Sequence, residues 1–84
     1  MKNALEELVN IGPALAADLG DMGIRDAGDL RELGAIEVGR RLEAAGKHDC
    51  INAVLAVEGA IRGRRWMSMP AEDRARLAHE WAQR

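Results

Sequence analysis

Eighty-four residues, 48% of them hydrophobic, suffice for one compact core over residues 1–84, since so short a chain buries only about 60% of its unfolded surface. Tyr and Phe are absent and β-branched residues are scattered, which excludes a sheet-based fold and favours helix; the small size also favours binding over catalysis in a large cleft. A formal net charge of −2 excludes the strongly basic surface of a typical nucleic-acid binder.

The first predicted element is a short helix from Asn3 to Leu8, with Asn3 as its cap and Glu6 and Glu7 in the first turn, where carboxylates favour the helix dipole. Val9-Asn10-Ile11-Gly12 then breaks the pattern with two residues tolerant of positive φ. Pro13 offers the φ preferred at a helix's first position, so a tight hairpin leads into a helix over Pro13–Met22 with Leu15, Leu19 and Met22 on one face. Asp26 is placed to cap a third helix, with Asp29 as the capping-box acid and Leu30 and Leu33 as apolar contacts. Gly34 stops it, and Ala35–Ala45 forms a fourth helix that buries Ile36, Val38 and Leu42 and ends at Gly46.

From Asp49 the chain presents a wide apolar stripe of Cys50, Ile51, Val54, Leu55, Val57 and Ile61, which makes this the expected central helix, with Ile51, Val54, Leu55 and Ile61 in the core. Gly59 inside it costs up to about 1 kcal/mol against alanine, so a close helix crossing is expected there. Gly63 ends the helix, Arg64-Arg65-Trp66 connects, and Ser68-Met69-Pro70 opens a last helix in which Leu77 and Trp81 recur at i,i+4. The fold class is all-α: a compact bundle of five to six short helices.

Charge divides unevenly along the chain. Residues 1–46 hold five basic and nine acidic side chains and residues 47–84 hold seven and five, so any phosphate-binding face belongs to the C-terminal half. Two surfaces stand out. One is the hairpin Asn10, Ile11, Gly12 and Pro13, where Gly12 is expected to need a geometry closed to other residues and where backbone amides at a helix start can meet a phosphate. The competing reading is a structural connection. The other is Arg62, Arg64 and Arg65 beside Trp66, a combination of charge and stacking suited to a nucleic-acid strand or a partner. Against this, Glu58 and Arg62 are spaced to pair, arginines near a helix end can bond its last carbonyls, and Trp66 can cover the core edge.

No catalytic residue, cofactor site or metal site is expected. His48-x-Cys50 lacks the further ligands structural zinc needs, and His79 is the other imidazole. Glu72 and Asp73 read as solvated first-turn acids, with Glu72 spaced to pair with Arg76. Met67 and Met69 flank the connector and fit either a core or an adaptable surface. Cys50 is the only cysteine in the sequence, so no intramolecular disulfide can form, and the longest uncharged apolar run, Cys50 to Val57, falls far short of the ~20 residues of a membrane span, so a cytoplasmic protein off the membrane is expected.

The run Leu5-x-x-Leu8-x-x-Ile11-Gly12-Pro13-x-Leu15-Ala16-x-x-Leu19 resembles a helix-hairpin-helix motif of the SAM-like kind. Asn10 stands where the first glycine of a Gly-x-Gly turn often lies, and Ala14 where Lys or Arg commonly follows. With Gly23-Ile24, Leu30-Arg31-Glu32-Leu33-Gly34 and above all Glu58-Gly59-Ala60-Ile61-Arg62-Gly63-x-x-Trp66, nearly the whole chain resembles the C-terminal domain of the TfoX competence-regulator family. The resemblance implies a helical domain, found alone or after a separate N-terminal domain, tied to control of natural-transformation genes and without established catalytic activity. The resulting expectation is a non-enzymatic regulatory module that binds a protein partner, or DNA weakly. The rival expectations are a non-specific DNA-binding hairpin domain and a structural or oligomerisation domain.

Overall fold

Helix boundaries follow the chain's capping chemistry in the computed structural model, which describes residues 4–47 and 50–84. Among the described residues there are five α-helices: α1 (Pro13–Asp21), α2 (Ala27–Leu33), α3 (Ala35–Ala44), α4 (Cys50–Arg62) and α5 (Ala71–Gln83). Single 3-10 turns lie at Ala4–Glu7 and Trp66–Ser68, and no strand occurs among the described residues. The fold is all-α.

Pro13 occupies the start of α1, and Asp26 caps α2 by accepting the Asp29 N–H at 2.9 Å. Asp29 in turn accepts the Arg25 N–H at 2.9 Å, so the two acids satisfy donors on both sides of the helix start. Gly23, Gly34, Gly46 and Gly63, the expected stops, all have positive φ. The N-terminal limb differs from expectation. It is a four-residue 3-10 turn at Ala4–Glu7 and not an α-helix, because Asn10 takes a left-handed φ of 72° and leaves too few residues to offset helix nucleation. The proposed Asn3 cap, His48 and the Asp49 start of α4 lie outside the described residues.

α4 is the central element, packing most extensively on α3 and also on α2, α5 and the Trp66–Ser68 turn. Its fully buried face is Cys50, Val54, Val57, Gly59 and Ala60. Ile51, Leu55 and Ile61, expected in the core with Val54, are only half-buried and flank it. The stripe was wider than the helix's neighbours can cover: α2, α3 and α5 close one side of α4, and its margins stay partly wet. Leu5, Leu19, Ile24, Leu30, Val38, Leu42, Met69, Leu77 and Trp81 complete the core. Close packing also explains Gly39, a position the sequence reading passed over: a Cβ there would lie 2.6 Å from the Trp81 ring. α3 and α5 approach through that gap, and Arg84 stacks 3.6 Å over the same ring while pairing with Glu43 of α3.

Candidate interaction surface

The hairpin and the basic segment meet through one side chain, that of Asn10, which lies 54 positions from Arg64 and 56 from Trp66. Asn10 Nδ2 donates to the carbonyls of Arg64 (3.0 Å) and Ala56 (3.3 Å), and Asn10 Oδ1 accepts the Trp66 N–H at 3.2 Å. A short polar side chain tolerates the left-handed backbone that aims it there. Gly59 makes the approach possible: a Cβ on it would lie 2.7 Å from the Arg64 carbonyl oxygen, 3.2 Å from Trp66 Cα and hard against Asn10 Nδ2. The close helix crossing expected at Gly59 does not occur; the close approach there is made by the loop after α4 and the hairpin.

The loop after α4 is fixed on its other side as well. Gly63 and Arg64 donate their N–H groups to Ala60 and Gly59 carbonyls at 3.1 and 2.9 Å, closing the helix end with backbone alone. Ser68 and Met69 donate to Arg65 and Trp66, the Met69 side chain is buried, and Trp66 packs half-buried against the core. Met67 points the other way and is 61% exposed. Of the two methionines, Met69 is in the core and Met67 is on the surface.

The expected basic cluster is split by ion pairing. Arg62 bonds Glu58 at 2.7 Å, as its spacing predicts, and also Asp73 of α5 at 2.8 Å. The bonds from Asp73 and then Glu58 raise the Arg62 pKa, and the Arg62 hydrogen bond, the largest influence, pulls the Asp73 carboxyl below its ordinary value. Arg62 is therefore a strut between α4 and α5. Asp73 also takes Arg76 at 3.2 Å, so the i,i+4 pair expected from Glu72 is replaced by an i,i+3 pair from its neighbour, and Asp73 is structural where a solvated acid was expected. Arg64 and Arg65 are exposed and, among the described residues, form no ion pair. Among the described residues no arginine side chain bonds the last carbonyls of α4; the backbone amides of Gly63 and Arg64 do so.

At the hairpin, Ile11 is buried in the core and Asn10 is committed to the loop, leaving Gly12 and Pro13 exposed. Gly12 does not need to be glycine: its φ of −87° and ψ of 177° suit any residue, and a Cβ there meets nothing within 4 Å. The residue with the demanding conformation is Asn10. Sequence marked both positions as tolerant of positive φ, and it took the long-range bonds of Asn10 to show which one uses it.

No cluster of three or more His, Cys, Asp and Glu side chains able to hold a metal gathers among the described residues, and no described helix is long and apolar enough to cross a membrane. The sequence model of the TfoX C-terminal domain family matches residues 1–81. The chain belongs to this family. Two solved structures of proteins of unknown function from Listeria monocytogenes share the TfoX C-terminal fold seen here. One, in a triclinic form, is 30% identical with a TM-score of 0.86 over 94% of this chain and 90% of that one. The other, in a tetragonal form, is 32% identical with a TM-score of 0.83 over 94% and 96%. No curated protein matches. Neither structural relative has a stated ligand, so membership in the TfoX C-terminal family carries a regulatory association, and the surface itself must supply the mechanism.

Proposed function

We propose that this chain is a non-enzymatic, cytoplasmic regulatory module of the competence-regulator type that works by binding a protein partner. The observation that carries this reading is the Asn10 clamp, which joins the hairpin and the Arg64–Trp66 loop into one rigid face. A surface whose backbone is already fixed loses little entropy on binding, which favours recognition of a specific partner.

Duplex DNA fits less well. Affinity for duplex rises with the phosphates neutralised, and with Arg62 committed to Glu58 and Asp73 the face offers Arg64 and Arg65. Two contacts give a log-affinity slope against log salt of roughly −2, so binding would be sequence-blind and negligible at physiological salt. The hairpin amides at Gly12 and beyond add donors but no charge. Pull-down from the native cytoplasm with and without nuclease tests the proposal: a partner retained after nuclease supports it, and capture abolished by nuclease points to nucleic acid. Fluorescence anisotropy with duplex of arbitrary sequence is the companion measurement. Sub-micromolar binding at physiological salt would overturn the charge argument.

A further inference from the structure

We infer that the exposed side of the 64–67 loop is the docking site for an acidic segment with an apolar anchor on a partner protein, with Arg64 and Arg65 as the carboxylate-binding groups and Met67 as the apolar contact. The inference rests on the protein-binding reading above and names the partner's chemistry. Three observations converge on this loop. Its backbone is held at six points: the Gly63 and Arg64 amides on α4, the Arg64 carbonyl and Trp66 amide on Asn10, and the Ser68 and Met69 amides on the Arg65 and Trp66 carbonyls. Its inward side chains, Trp66 and Met69, pack on the core. Its outward ones, Arg64, Arg65 and Met67, are exposed, and Met67 is the large hydrophobic side chain that the described chain leaves mostly in water.

Charge decides the sign of the partner. The molecule as a whole is acidic, at −2, yet this loop presents two exposed arginines, neighbours in sequence, without ion pairs among the described residues. Asp73 feels the charge of Arg64 but is already bonded by Arg62 and Arg76. Unspent arginines on a rigid backbone match carboxylates in a two-pronged geometry that lysine cannot reproduce, and arginine with methionine is the pairing enriched where proteins meet. A strand of nucleic acid would meet the same two charges but gain nothing from Met67, whereas an acidic segment bearing a large apolar residue uses all three.

The test uses the full chain as bait in nuclease-treated native cytoplasm, in four forms: unaltered, Arg64→Glu with Arg65→Glu, Met67→Glu, and Arg65→Lys. All three positions are exposed, so each variant should keep the thermal midpoint of the parent, which far-UV circular dichroism checks. The charge-reversed bait should retain at least about tenfold less partner, since like charges facing each other cost more than that factor, and Met67→Glu should also lose partner. The Arg65→Lys bait should bind more weakly than the parent, since lysine loses the two-pronged geometry, yet hold enough partner for its new amine to couple under a zero-length carbodiimide, with mass spectrometry placing the cross-link on an Asp- or Glu-rich segment. Undiminished capture by the charge-reversed bait would overturn this docking site while leaving a protein-binding function intact. A cross-link outside any acidic segment would also overturn it. Failure of all four baits to hold a protein after nuclease treatment would instead remove the protein-binding reading itself.

Discussion

Replacing Gly59 by alanine sets a helix preference against a packing constraint, and the structure says which wins. Alanine in a helix interior gains about 1 kcal/mol over glycine. The added methyl, however, would lie 2.7 Å from the Arg64 carbonyl oxygen and against Asn10 Nδ2, both of which are bonded to each other and cannot withdraw separately. Forcing one methyl into a filled space costs roughly 1–3 kcal/mol. Displacing Asn10 also forfeits its three hydrogen bonds, each worth about 1 kcal/mol. The net is a destabilisation of roughly 3–5 kcal/mol, which for a domain of this size lowers the thermal midpoint on the order of 10–40 °C. Thermal melts followed by far-UV circular dichroism measure it. Asn10→Gly keeps the left-handed backbone and removes the same bonds, so the double variant should be less destabilised than the sum of the singles. A midpoint for Gly59→Ala equal to or above the parent's would refute the reasoning, because helix propensity would then outweigh the clamp.

Gly12 gives the opposite expectation: its ordinary φ, its empty surroundings and the missing side-chain cap at the start of α1 make Gly12→Ser neutral or stabilising by a few tenths of a kcal/mol in urea titration. Leu30 is fully buried and Leu55 only half-buried, so Leu30→Ala should cost ~2–5 kcal/mol and Leu55→Ala clearly less; equal losses would contradict the placement of α4. Acid sensitivity should depend on Asp73. Arg62 lowers its folded pKa beneath the ordinary 3.8, so its carboxylate stabilises the fold fully above that pH and progressively less as pH falls through the lower folded value. The midpoint difference between the parent and Asp73→Asn should therefore be constant from neutrality to about pH 5 and shrink below pH 3.8; a difference that persists into strong acid would show that the pair is not the source.

Local chemistry wrote most of the helix boundaries into the sequence. Pro13 starts α1, Asp26 with Asp29 starts α2, and Gly23, Gly34, Gly46 and Gly63 end helices, because each acts within a turn of its own position. The all-α class and the buried anchors Leu19, Leu30, Val38, Leu42, Leu77 and Trp81 were legible for the same reason, since a period of 3.6 is a local signal, but Ile36, expected to be buried with Val38 and Leu42, and Leu15 and Met22 beside Leu19 are only half-buried. The family resemblance was legible too, in the Glu58 to Trp66 block. What the sequence left open depended on distance. Whether Ile51, Leu55 and Ile61 are covered turns on which neighbours reach α4, and whether Arg62 faces solvent or Asp73 turns on where α5 lands. Asn10 and Gly59 are 49 positions apart, and neither carries a hint of the other in its local pattern. Only tertiary packing brings them together, since the hydrogen bonds of Asn10 and the space left at Gly59 exist once α4, the loop after it and the hairpin occupy the same volume.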